Sequence, residues 1–203
     1  MRKEENWHAR ASHNKVEVNA RLLVSAKGSR HVPSRSLTIE QVLTLLAATP
    51  QRIAALTAGL APAQLHTTPN HDGWSANDVL AHLRACADVW GNCIMAMIAQ
   101  DTPNLRAVNP RTWIKQTDYL ELEFRPSLRS FATQRADLLA VLEPLPHEGW
   151  SRAARVSGAG KVLERTVLFY AQWLARHERQ HVKQVERIVN TAANSRFFAA
   201  RTD

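Results

Sequence analysis

No apolar run in this 203-residue sequence approaches the roughly 18 residues needed to cross a bilayer. The polar start of the chain also lacks the apolar stretch of a secretory signal. These absences argue against a membrane-spanning helix and predict a chain that stays in the cytoplasm. Cysteine is scarce too, with two in the whole chain. Cys86 and Cys93 fall in what reads as one helix, separated by about 10 Å of axial rise, which is too far for a disulfide. Both are expected as reduced core thiols. Strand-like alternation is rare as well, so few strands are expected. With 45% hydrophobic residues, the length suits one domain with a proper core and is short for two.

The net charge of +8 invites a nucleic-acid reading, and its distribution argues against one. Residues 1–36 hold eight Lys/Arg against three Asp/Glu (+5), and the other 167 hold eighteen against fifteen (+3). Most of the basicity therefore belongs to the tail. No recognised DNA-binding motif or aromatic-basic interleaving accompanies it. Residues 1–36 show no sustained periodicity and read as a disordered or loosely docked extension. A four-helix domain is expected over 37–192, followed by a short C-terminal tail over 193–203.

Four amphipathic helices can be read from Leu37 onward. The first starts near Thr38, where Thr38 and Gln41 suit a capping box, and runs to about Gly59 with a kink at Pro50. The second opens at Ser75, with Asp78 completing its box, and reaches about Ala99. The linker from Asp101 to Thr117 is longer than a bundle turn needs and is a candidate to line a site. A third helix is expected over roughly Asp118 to Glu143, with Pro126 as its kink or true start. A fourth spans about Lys161 to Ala192. Each has one apolar face, and the economical way to bury four such faces is an all-α four-helix bundle with a long second connection.

Histidine is plentiful, with nine in the chain. His177 and His181 project about 40° apart on the last helix, on the side of Leu163, Tyr170 and Leu174 and opposite Arg176, Arg179, Lys183 and Glu186. Chance alone supplies about 0.4 pairs at this spacing, so the pair by itself proves nothing. Its placement on an apolar face is the stronger signal, because partnerless imidazoles there are costly. His82 lies at the edge of the second helix's apolar stripe. Alone it reads as a core histidine, but with the pair it completes three nitrogens for one metal ion and leaves a position open. Cys86, one turn on, reads as core packing ahead of a soft ligand. His66, His71 and His147 read as loop side chains, and His8, His13 and His31 belong to the tail.

These segments carry a resemblance. Gly73-Trp74-Ser75-Ala76-Asn77-Asp78-Val79-Leu80-Ala81-His82-Leu83, followed much later by His177-Glu178-Arg179-Gln180-His181-Val182-Lys183-Gln184, resembles the DinB-like (DinB/YfiT) superfamily of four-helix-bundle metalloproteins. It extends over residues 37–190 and includes the Thr49-Pro50 break and the Phe131-to-Arg135 spacing. The resemblance implies His82, His177 and His181 as ligands of one divalent metal ion (Zn, Ni or Fe), and a homodimer through helix faces. It also implies a metal-dependent enzyme of thiol-transferase or hydrolase type, acting on a small-molecule substrate with a low-molecular-weight thiol as a possible cofactor. A non-catalytic metal-binding or stress-response bundle is the contrasting reading.

His177-Glu178-Arg179-Gln180-His181 also spells the H-E-x-x-H of zinc proteases, in which the glutamate is the general base. Few residues follow His181 to supply a further ligand, and Glu178 is expected on an exposed helix flank, where it is replaceable. The tail reading has its own test. Deleting residues 1–34 is expected to leave the calorimetric midpoint within a few degrees, because surface changes rarely exceed about 0.5 kcal/mol. A collapse in stability or solubility would show that the extension packs on the bundle.

Overall fold

The computed structural model describes residues 36–68, 73–158 and 160–199. The expected extension therefore lies, but for Ser36, outside the described residues. Helix α1 (Ile39–Thr57) opens with the capping box that its sequence predicts: Gln41 N–H donates to Thr38 Oγ1 (3.2 Å) and Thr38 N–H to Gln41 Oε1 (3.0 Å). It runs through Pro50 as one helix, and Thr49 Oγ1 donates to the Leu45 carbonyl in the same turn (2.9 Å). A short α2 (Pro62–His66) adds buried Leu65. Helix α3 (Ala76–Ala99) begins at the Ser75–Asp78 box.

The linker that follows is structured. It contains β1 (Asn104–Arg106), α4 (Pro110–Trp113) and a 3₁₀ turn, Ile114–Gln116. Helix α5 (Phe124–Leu142) starts later than the sequence suggests. Pro126 lies in its first turn, where a missing N–H costs nothing. A 3₁₀ turn (His147–Ser151) leads to β2 (Ala153–Ser157) and β3 (Leu163–Thr166), and α6 (Val167–Ala199) closes the described chain.

The strands correct the sequence reading. β1 and β2 pair in parallel and β2 and β3 antiparallel, in the order β1-β2-β3. Leu163, expected on the last helix, pairs with Val156 instead. The helix begins only at Val167, where the Thr166 hydroxyl accepts from Phe169 N–H (3.1 Å) and acts as the cap. It continues to Ala199, past the expected end at Ala192. No helix among the described residues is long and apolar enough to cross a membrane.

Helices α1, α3, α5 and α6 form the bundle. α6 packs against α1 and α3, and so does α5, so α1 faces α3 and α5 faces α6 across the diagonals. Consecutive long helices therefore sit diagonally at two of the three connections. Two apolar clusters fill the interior. One is built around Leu46, Ile94, Leu138, Leu142 and Leu174, the other around Ile53, Leu83, Phe124, Phe131 and Val185.

A polar layer lies between these clusters. On α1 it holds Thr49, between Leu46 and Ile53. On α5 it holds Arg135, between Phe131 and Leu138. On α6 it holds Glu178, between Leu174 and Val182. Arg135 and Glu178 are fully buried and form an ion pair across the diagonal. Burial pushes the Glu178 carboxyl up, and Arg135 and Thr49 pull it back. The exposed flank predicted for Glu178 is therefore wrong. A residue that looks like one polar side chain among many on α6 is paired with a cation from a helix whose position the sequence does not reveal.

Removing one member of a buried pair strands the other charge, at about 3–5 kcal/mol. Glu178→Gln is expected to lower unfolding free energy in urea by about that much. The double replacement Arg135→Met with Glu178→Leu should recover much of the loss, because Arg135 Nε and Nη1 and Glu178 Oε2 have no hydrogen-bond partner among the described residues. A Glu178→Gln variant as stable as wild type would refute the pairing.

Candidate metal centre

Two helices build the cluster. The Ser75–Asp78 box fixes where α3 begins, with Ser75 N–H donating to Asp78 Oδ2 (2.8 Å) and Asp78 N–H to Ser75 Oγ (3.1 Å). That start places His82 two turns in, on the inward side, 6% exposed. On α6, His177 and His181 stand one turn apart and half-buried. The structure brings all three together. His177 Nε2 lies 3.0 Å from His82 Nε2 and 3.1 Å from His181 Nε2, and one ligand atom from each falls within 4.8 Å of the others. His66 and His147 are exposed and outside the cluster. His8, His13, His31 and His71 lie outside the described residues.

The surroundings fix the rings. His181 Nδ1 is 2.8 Å from Gln184 Oε1. The amide oxygen can only accept, so Nδ1 carries the proton and the Nε2 lone pair faces inward. Trp74 stacks on His181 (centroids 6.0 Å, planes 4° apart) and meets His82 edge-on at 5.2 Å. Trp90 meets His177 edge-on at 5.0 Å. The thiol of Cys86 lies 3.5 Å from His82 Nε2 and 3.4 Å from His177 Nε2. Burial pushes that thiol's pKa well up, and the Glu178 charge adds to it. Cys86 therefore packs as a protonated neighbour, and it is not a member of the three-residue set.

The arrangement suits a cation. One proton can bridge only one of the two contacts at His177 Nε2, which leaves the other without a hydrogen bond. Protonation does not relieve it. Burial, then His181, His177 and Arg111, push His82 down to about 2. Burial, His181 and Arg111 bring His177 to about 3. Burial and Arg111 lower His181 against the pull of Gln184. Two nitrogens each about 2.0–2.1 Å from one ion lie roughly 3.0–3.4 Å apart, and the two separations at His177 Nε2 match.

Sequence reasoning named the three histidines, and missed the parts contributed by other segments. Trp90 of α3 walls His177, and nothing in its local sequence marks it for that place. Arg111 sits in a linker without periodicity and carries no signal of its own, yet its charge acts on all three imidazoles.

The lowered pKa values make stability depend on pH. An unfolded imidazole takes up a proton below about 6.5, and buried His82 does not until about 2. Unfolding therefore binds protons, and stability is lost as pH falls below about 6.5, by up to about 1.4 kcal/mol per unit for each such group. For metal-free protein, the slope of unfolding free energy between pH 6 and pH 4 should be steeper in wild type than in His82→Gln by about that amount. Equal slopes would mean that His82 is not held neutral.

Comparison with known proteins bears on the fold and the family. No curated protein matches the sequence significantly. Among solved structures, the fold is similar to that of YfiT from Bacillus subtilis, described as a probable metal-dependent hydrolase with an unusual four-helix bundle topology. The TM-score is 0.59 at 17% identity, covering 81% of this chain and 94% of that one. The model of the DinB superfamily matches residues 45–185, more than half of the chain and a span that includes all three histidines. On that match, the chain belongs to the DinB superfamily.

Proposed function

We propose that this protein is a metal-dependent enzyme of thiol-transferase or hydrolase type, acting on a small molecule and using one divalent ion (Zn, Ni or Fe) held by His82, His177 and His181. The observation that carries this reading is the convergence of three Nε2 atoms, 3.0 and 3.1 Å apart at the two shortest contacts, on a cluster whose α6 members are half-exposed. A divalent ion there supplies Lewis acidity, lowering the pKa of a water or thiol that it takes up. The chain supplies the rest. Gln184 orients His181, Trp74 and Trp90 restrict water around the rings, and three neutral ligands leave room for a further group.

The zinc-protease reading is disfavoured by Glu178. Its carboxylate is fully buried and paired with Arg135, so it is not free to serve as a general base beside the ion. A non-catalytic metal-binding bundle would share the ligands and differ in having no metal-dependent turnover.

Purified protein is expected to carry about one divalent ion per chain by elemental analysis, and the double variant His177→Ala, His181→Ala to carry none. Metal-loaded protein should convert small electrophiles in the presence of a low-molecular-weight thiol, or hydrolyse small esters or amides, and lose this activity on chelation. Unchanged metal content in the double variant would refute the centre. Intact metal binding without turnover in either assay would favour the non-catalytic bundle.

A further inference from the structure

The linker between α3 and α5 is fastened to the flank of α3 beside the histidine cluster. Ile114 is buried against Ala81 and Ala85, the neighbours in sequence of His82 and Cys86. Trp113 Nε1 and Tyr119 Oη both donate to Asp88 Oδ2, at 3.0 and 2.8 Å. Within this fastened segment, Pro110 is buried and Asn109 Oδ1 accepts from Arg111 N–H (2.9 Å). Arg111 is thus carried on an anchored turn, while its own side chain is exposed and makes no hydrogen bond or ion pair with the described residues. It is the one Lys, Arg, Asp or Glu among them whose field acts on His82, His177 and His181 together, and it reaches Cys86 as well.

The ligand set itself carries no negative charge. Three neutral imidazoles bring none, and no Asp or Glu joins the cluster. Glu178, adjacent in sequence, is paired with Arg135. A divalent ion would therefore add two positive charges beside a guanidinium that stays protonated at any physiological pH. Such a site repels cations and favours an anion that spans both charges. We propose that Arg111 is a substrate-anchoring residue, receiving an anionic oxygen group (sulfonate, carboxylate or phosphate) on the small molecule or thiol that the centre takes up. This rests on the metal centre proposed above and narrows its ligands to anions.

The two electrostatic effects of Arg111 have opposite signs, which separates this role from a structural one. Removing the guanidinium should weaken anion binding, and should leave metal affinity equal or higher because a repulsion is lost. The test uses the full chain loaded with Co²⁺, read by its visible spectrum and titrated with 2-mercaptoethanesulfonate, 2-mercaptoethanol and thiocyanate. The sulfonate is a poor metal ligand, so its advantage over the hydroxyl reports on the guanidinium. Wild type is expected to bind the sulfonate thiol about fivefold or more tighter than 2-mercaptoethanol. Arg111→Ala should abolish that preference and weaken thiocyanate, with 2-mercaptoethanol and Co²⁺ affinities held or improved, and Arg111→Lys should keep part of the preference. An unchanged preference in Arg111→Ala overturns the proposal, as does a parallel loss of Co²⁺ and both thiols. If neither thiol alters the spectrum but thiocyanate does so in an Arg111-dependent way, the thiol reading fails and the anion site stands. No response to any of the three overturns both.

Discussion

Helix α6 has to satisfy two polar demands on adjoining faces. Glu178 turns toward the bundle centre to meet Arg135 of α5, while His177 and His181, one residue before and three after it, turn toward His82 of α3. A rotation of α6 that served one demand badly would spoil the other. Burying an unpaired carboxylate or guanidinium costs several kcal/mol, so the ion pair limits the rotation, and with it the direction in which both imidazoles point. The pair bridges the diagonal between α5 and α6, where side chains as long as Arg and Glu can meet although the backbones do not pack directly. The apolar clusters above and below this layer are what exclude water from it.

The same layer divides the labour of charge. Glu178 is balanced by Arg135 on the core side, although its charge still reaches the Cys86 thiol, and the histidine cluster itself consists of neutral rings. Asp88 is likewise occupied, accepting from Trp113, Tyr119 and Gln134, so the linker is held in place by a carboxylate that does not act on the imidazoles. Imidazoles kept neutral by burial are ready to act as ligands without first losing a proton.

Much of this was legible in order along the chain. The capping boxes at Thr38–Gln41 and Ser75–Asp78 are local, depending on residues three apart, and both occur where the sequence places them. The His177/His181 pair follows from helical periodicity alone. The strands were not legible, because all three are short, β1 pairs with β2 from a distant part of the chain, and the β2–β3 hairpin is too brief to show a clear alternation. Leu163 and its neighbours suit a helix locally, and the tertiary hairpin overrides that preference.

The sequence by itself determined which faces of the helices are apolar, where two of the long helices begin, and which three histidines face inward, because those properties depend on spacing within one helix. Only the tertiary structure decided what those faces meet. It set Glu178 against Arg135 rather than against solvent, brought the α3 histidine to within 3.0 Å of one on α6, and packed the turn that carries Arg111 against α3. Each of these joins residues many tens of positions apart through long-range packing, and no local pattern encodes the direction from which a partner arrives.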